Sequence, residues 1–573
     1  MEGRHDERSH QPDLEALPRF AFASGSTFGI LGLRLSASST FPGVFGWLSK
    51  SSRRKKWLCI TLNFTLTLPE MFKQFGLPHW LLLYCILVPV AIFIGYLLAT
   101  PTDFTSYALL SMLLFLLSFP LIVRWHYPFM LFAWNAWIIV FFVPGQPSLG
   151  VVMAAFSFCF AMLDRAMNKQ TRFLHVRALA YPLIALAIVV AVTAKFTGGI
   201  SGRALGAETW GAKRYLGVFG AILGYFAITA RRIPAEKAFF YISLFVLGGV
   251  TAMVSDIVYA AGPSLYFLFV LFPATAASLQ ATTQDTMMRL NGLAFAALAG
   301  FEYVVMRFGI RGVLEWTKPW RLLSLLALMV VSLLGGYRSL VLILFFILVF
   351  QFAFEGLLRS RLFPFVLLFS LLAITFVIAF IQDMPLSVQR SLSFLPLEVD
   401  SMASQDAAGT AEWRLQMWRA VLPDVPRYLL LGKGFAFNGT DYMLTQEAMR
   451  QGYYNSYEDT LISGNYHHGI LTLIIPFGIF GFLSFLWFCV AALGALYRNY
   501  RYGEEPLRLI NTFLLAYFCA RLVFYITLYG QFDLDLVLFT GTVGLSVALN
   551  GGVKTRETQE SEEIVEVEEA VPA

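Results

Sequence analysis

The chain has 573 residues, of which 58% are hydrophobic, 16% aromatic and only 14% charged, with a formal net charge of +6. A soluble globular chain carries about 25% charged residues, so the composition excludes one; no nucleic-acid partner is expected. The mean hydropathy of +0.67 points to a chain built for lipid.

Residues 1–70 are polar, with serine and glycine runs and the cluster RRKKW from Arg53. The next apolar stretch, LCITLNFTLTL, is interrupted by polar residues and does not read as a cleavable signal. Met71 stands just before the first clear span and is a natural start, so 1–70 is expected to be an unstructured or misassigned extension. From Trp80 the block WLLLYCILVPVAIFIGYLLAT is long enough to cross a hydrocarbon core of about 30 Å.

Further candidate spans lie near 106–123, 127–143, 148–163, 178–196, 216–229, 237–259, 264–279, 290–306, 321–336, 340–356, 363–381, 469–494, 509–528 and 534–549. Barrel strands would be about 10 residues long and alternate in polarity, and these blocks do neither. The expected fold is therefore all-α, a polytopic transmembrane bundle of about 14 spans, within limits of roughly 12 and 15. Basic loops mark the cytoplasmic side: DRAMNKQTRFLHVRA from Asp164, ARRIPAEK from Ala230, LLRSR from Leu357 and YRNYRYGEEPLR from Tyr497. Counted from the two ends, the crossings disagree by one between 237 and 306; a re-entrant or half-span near Gly262 and Pro263 resolves this. The expected order is an N-terminal bundle over 71–381, an extracytoplasmic (periplasmic) loop over 382–466, C-terminal spans over 467–550 and an acidic cytoplasmic tail over 551–573.

The polar loop should hold short helices, the most ordered being TAEWRLQMWRAVLP, with Thr410 as N-cap and Pro423 as stop. Leu415, Trp418 and Val421 form an apolar stripe that lies on the interface or on the bundle. Arg338 falls at the outer end between two spans, beside Gly335 and Gly336, against the positive-inside trend. An arginine there either snorkels to lipid phosphate or clamps an anion. Arg414 lies on the loop helix, and His467 and His468 stand at the mouth of the next span. Neither histidine has metal-site spacing and no cysteine is near, so no metal and no cofactor are expected. Tyr453, Tyr454 and Tyr457 offer either loop packing or a stacking platform for a sugar ring. Arg521, Lys195, Asp256 and Glu302 lie within apolar spans, where an ionisable group is either functional or internally paired. The five cysteines lie in or beside apolar blocks, lack CxxC spacing and read as buried, inert thiols.

Taken together, these motifs resemble the O-antigen ligase and O-antigen polymerase superfamily of bacterial glycan transferases. His467 and His468 are followed by nine residues, Gly478, two residues and Gly481, similar to that family's H-[N/S/Q]-x9-G-x-x-G signature. AEWRLQMWRAVLPDVPRYLLLGKGF looks like its R-x3-W helix and GxGf turn, and GGYRS like its outer arginine. Arg414 follows Arg338 by 76 residues, and His467 follows Arg414 by 53. His468, where an amide or serine is usual, Lys433 in the turn and the large number of spans depart from the pattern.

The resemblance implies glycan transfer from a polyprenyl (undecaprenyl) diphosphate carrier to a glycan or lipid-core hydroxyl, at the periplasmic face of the inner membrane. It implies Arg338 and Arg414 on the diphosphate, His467 as base or phosphate donor and His468 at the substrate; Tyr457, by stacking, and Arg521, by its charge within a span, are added as substrate-binding candidates. A polymerase and a protein oligosaccharyltransferase share the motifs. A lipid-linked glycan flippase would show internal repeats, which the chain lacks.

Overall fold

The computed structural model describes residues 104–143, 145–168, 173–199, 209–274 and 289–556, with five isolated positions between 88 and 95. The extension 1–70, nearly all of the span expected at 80–99 and the tail beyond 556 lie outside the described residues. Contacts divide the chain into residues 1–100 and 101–573, and the second unit is described here.

Its regular structure is helical apart from one two-residue strand pairing. The helices described in this unit begin with α1 (Phe104–Trp134), α2 (Leu149–Met167), α3 (Arg177–Thr197), α4 (Ala212–Ile228) and α5 (Ala235–Leu247). Then come α6 (Met253–Ala261), α7 (Asn291–Val313), α8 (Trp320–Leu333), α9 (Arg338–Phe354) and α10 (Leu362–Phe380). After the polar segment follow α16 (Leu471–Tyr502), α17 (Arg508–Thr527) and α18 (Phe532–Asn550). Among the described residues eight helices are long and apolar enough to cross a membrane, and the bent α1 makes a possible ninth. The chain is thus an all-α polytopic membrane protein.

The core forms where α4 packs on α18 and α2, α3 on α16, and α9 on α17. Small residues allow the close approach: the Trp134 indole lies against Gly224 and Gly541, and its Nε1 donates to the Val537 carbonyl at 3.0 Å. By contrast α10 buries no residue. It is apolar all round, as a helix facing lipid should be.

Several expected spans take another form. The blocks 106–123 and 127–143 are joined in α1, which leaves helical geometry at Trp125 between Pro120 and Pro128. Each proline removes an intrahelical hydrogen bond and crowds the preceding turn. Around Gly262 the chain passes from α6 into a 3-10 helix, Pro263–Val270, which at about 2 Å per residue is too short to cross. The parity gap had pointed there; the rest of the expected span 264–279 lies mostly outside the described residues. Two further segments, α8 and α9, are only 14 and 17 residues long. Of the cysteines, Cys489 is buried, Cys519 partly so and Cys159 exposed on α2, which corrects the expectation of uniformly buried thiols.

The polar segment contains α11 (Leu386–Leu392), α12 (Ser401–Val421), α13 (Asp424–Tyr428), α14 (Gly439–Arg450) and α15 (Glu458–Ser463). A strand in it, β2 (Phe437–Asn438), pairs antiparallel with β1 (Thr209–Trp210), which lies between α3 and α4. Thr410 is not the N-cap: α12 begins nine residues earlier, at Ser401. The Asp400 carboxylate caps it by accepting from the Met402 amide at 2.8 Å, and the helix formers of 401–408 carry it through Gly409. Thr410 Oγ1 instead donates to the Asp406 carbonyl, one turn back. Of the apolar stripe, Val421 packs with Tyr466, Leu471 and Ile475, and Trp418 packs against this cluster, while Leu415 is exposed.

Candidate active site

Two sequence motifs form one device that holds the polar segment on the bundle. Helix α16 breaks at Gly478, whose φ is +63°. An unbroken helix would bond the Ile479 amide to the Ile475 carbonyl. Here Ile479 N–H donates to Leu429 O at 2.6 Å, while Lys433 N–H and Gly434 N–H donate to Ile475 O and Pro476 O at 2.8 and 2.9 Å. The GKG turn therefore occupies the gap in the helix ladder. Gly432 and Gly434 sit at φ +82° and +71°, and a Cβ on Gly478 would lie 2.6 Å from Leu429 O. Glycine is required on both sides of the joint.

Above this joint the arginines converge. Arg338 opens α9 just after the turn made by Gly336 (φ +68°), and its Nη2 donates to Ala407 O in α12 at 2.8 Å. Arg390, on α11 and buried, donates to the Asp406 carboxylate, to Gly336 O and to Thr410 Oγ1. Arg289 donates to the same Asp406 carboxylate at 2.9 Å. Asp406, Thr410 and Arg414 recur every four residues, so they share one face of α12. Arg414 is one turn further along that face, with its guanidinium 5.8 Å from the ring centre of Tyr529 and its Nε buried without a partner among the described residues.

His467 faces the same place. Its ring lies 5.4 Å from that of Trp413 and 5.3 Å from that of Tyr529, and Nδ1 is buried without a partner among the described residues. Its φ of +49° is one of two left-handed values among described residues other than glycine. Such a conformation costs about 1–3 kcal/mol and gathers at functional sites. From below, Arg214 donates to the carbonyls of Ser463 and Gly464 and pairs with Asp533 at 3.1 Å, which fixes the approach to His467. His468 turns away; its ring meets Trp418 at 5.2 Å.

Burial, reinforced by the Arg414 charge, lowers the His467 pKa to about 4, so the ring is neutral at neutral pH. Burial likewise pushes the Arg414 and Arg289 guanidiniums below their ordinary values, and neighbouring arginines add to this. Tyr529 is raised to about 12, chiefly by burial, and stays protonated. A pocket with several guanidiniums, one carboxylate and a neutral imidazole is suited to an anion with a proton-releasing group beside it.

Two expected site residues stand apart. Arg521 forms a buried ion pair with Glu302 at 3.2 Å, its guanidinium 5.1 Å from the Tyr517 ring centre. Tyr457 is the residue preceding α15 and is not among the groups around His467. Of the other charged residues within spans, Asp256 accepts from the Leu293 amide and Lys195 is exposed. Sequence reading missed Arg289, Arg390, Asp406 and Tyr529. The spacing of 406, 410 and 414 on one helical face was a usable signal for Asp406. For Arg289, Arg390 and Tyr529 no local pattern exists. Among the described residues no group of three His, Cys, Asp or Glu side chains is placed to hold a metal.

Fold and site together define a polytopic membrane protein with an arginine-rich mouth at one end of its bundle. Residues 322–486 match the family model described as O-antigen ligase, so this part of the chain is similar to that family, a likeness that supports a glycan-transferring enzyme. The matched span includes Arg338, Arg390, Arg414, His467 and Gly478, and leaves out Arg289, Arg521 and Tyr529. No curated protein matches the chain.

Proposed function

We propose that the protein moves a glycan from a polyprenyl (undecaprenyl) diphosphate carrier to a sugar hydroxyl, as an O-antigen ligase-like glycosyltransferase that needs no metal. The observation that carries this reading is that Arg414 Nε and His467 Nδ1, both near Tyr529, are two buried polar atoms without partners among the described residues. Each such atom costs about 1–3 kcal/mol, and a bound donor and acceptor would supply the missing contacts. The acceptor hydroxyl oxygen attacks the anomeric carbon, and the bond from that carbon to the diphosphate oxygen breaks. The lipid diphosphate leaves with the electron pair. Arg414 and the remaining donors of Arg338 neutralise the growing charge in place, which lowers the barrier without reorganisation. Neutral His467 takes the hydroxyl proton.

The charge pattern supports a periplasmic site in the inner membrane. Helices α4, α9 and α16 all begin near the mouth and run away from it toward Arg231 and Arg232, Arg359 and Arg361, and Arg498 and Arg501. Basic loops favour the cytoplasm, so the mouth is outside. In a background without native cysteines, Ser404→Cys should react with a membrane-impermeant thiol reagent in spheroplasts and Arg501→Cys should not; the reverse pattern would invert the assignment.

The test of function is the purified chain with a polyprenyl-diphosphate glycan, candidate acceptors and EDTA. Lipid diphosphate and an elongated acceptor should both appear. No release from wild type, release that needs an added divalent ion, or equal release from Arg414→Ala and His467→Ala would each sink the reading.

A further inference from the structure

A cavity of about 330 Å³ opens among α2, α3 and α4, lined by Phe158, Met162, Arg165, Phe173, Val176 and Tyr225 among others. It lies at the end of the bundle opposite the arginine mouth. Helix α4 starts beside the mouth, where Arg214 reaches Ser463 and Gly464, and it reaches the cavity at Tyr225 and Phe226, one turn from its other end.

Its lining is almost wholly apolar, with two polar features that the bundle leaves unanswered. Tyr225 is 1% exposed, and its hydroxyl has no hydrogen-bond partner among the described residues. A buried tyrosine hydroxyl ordinarily finds one. Arg165 lies over the Phe173 ring at 5.0 Å and forms no ion pair among the described residues. The neighbouring Asp164 faces Arg231 instead, at 3.7 Å. His175 also lines the cavity, and Arg177 opens α3 beside it, so the rim is basic.

An apolar chamber with a basic rim and an unpaired phenol fits an amphiphile carrying an anionic head. We propose that this cavity binds an anionic glycerophospholipid from the surrounding membrane. One acyl chain fills the chamber, the phosphate sits at Arg165, and an ester oxygen accepts from Tyr225. The volume is near the small end for ligand pockets, so it takes part of one chain and not a whole lipid. Basic pockets between spans are known to hold lipid head groups. This site is independent of the transfer reaction proposed for the opposite end.

The test is native mass spectrometry of the full chain in detergent, titrated separately with phosphatidylglycerol, phosphatidylcholine and inorganic phosphate. Wild type should bind phosphatidylglycerol at least several-fold better than phosphatidylcholine. Arg165→Glu should lose about tenfold, as expected for one charge-assisted contact. Met162→Trp, at a 47% exposed position where folding is spared, should block the chamber and lower binding similarly. Tyr225→Phe should weaken binding several-fold without loss of thermal stability, because the hydroxyl it removes has no partner among the described residues. Equal binding of the two lipids, wild-type binding by both Arg165→Glu and Met162→Trp, or full competition by phosphate alone would overturn the proposal.

Discussion

Replacing His467 by asparagine should separate folding from function. The histidine is held at φ +49° with Nδ1 buried and without a partner among the described residues. A left-handed residue other than glycine costs about 1–2 kcal/mol, and an unsatisfied buried nitrogen about 1–3 kcal/mol. Its ring contacts with Trp413 and Tyr529 return about 0.5–1.5 kcal/mol each. The histidine is therefore close to neutral for stability. Asparagine enters the left-handed region readily and loses the rings, so His467→Asn should shift the unfolding free energy by no more than about 1 kcal/mol. Valine, β-branched at a positive φ, keeps the strain and should cost about 2 kcal/mol or more. Transfer activity of His467→Asn should fall on the order of a hundredfold, the usual worth of a general base. Heat unfolding followed by intrinsic fluorescence in detergent, run beside a lipid-diphosphate release assay, gives both numbers. Wild-type turnover in His467→Asn would remove the base assignment. A neutral His467→Val beside a strongly unstable His467→Asn would show that the backbone stores no strain.

Arg414→Ala should lower turnover by roughly one to two orders of magnitude, since a charge-assisted phosphate contact is worth about 1.5–3 kcal/mol; Arg414→Lys should recover part of it, lacking the planar fork. The His467 pKa, lowered from 6.5 to about 4, makes stability depend on pH. Between these values the unfolded chain binds a proton that the folded chain refuses. The neutral ring's contribution is thus whole above about pH 6.5 and falls away as pH drops toward 4, by about 3 kcal/mol in all; denaturation of His467→Asn across that window should be flatter. Glu355 accepts from the amides of Ile310 and Arg311 at 2.6 and 3.1 Å, where α7 breaks at Gly309. Glu355→Ala should cost roughly 2–3 kcal/mol, read as a lower melting temperature with unchanged donor binding.

The membrane class, the convergence of Arg338, Arg414 and His467 at one mouth, and the break in the helix at Gly262 were legible because each has a local signature: long apolar runs, an arginine between two spans and a helix-breaking Gly-Pro pair. The start of α12 was not. Thr410 looked like a cap because it precedes a glutamate and an apolar run, but Asp400, ten residues upstream of Thr410, does that work. The bend of α1 was also lost, because two proline-bearing apolar blocks read as two spans when hydropathy is averaged along the chain. Arg289 and Arg390 carried no signal at all. Their meaning comes from Asp406, which is 117 and 16 residues away in sequence and is reached only by folding. The GKG turn and Gly478 were both visible, yet as separate motifs; that one completes the other's broken hydrogen-bond ladder is a fact of three dimensions.

The distribution of partners divides the arginines into two kinds. Arg289 and Arg390 both donate to Asp406, and Arg390 adds Gly336 O and Thr410 Oγ1, so the two tie α12 to the turn that launches α9. They are positioning residues. Among the described residues Arg338 gives one donor to Ala407 O and keeps the rest of its fork, while Arg414 Nε has no partner. Since 406, 410 and 414 lie on one face, fixing the first two fixes the direction of the third. Asp406 offsets one of the four guanidinium charges and Asp459 acts on His467 as a second carboxylate, so the folded mouth still carries a positive excess. A diphosphate is the kind of anion that such an excess favours. Burial holds the nearby imidazole neutral and the Arg414 charge reinforces it, so charge neutralisation and proton acceptance draw on one arrangement of side chains.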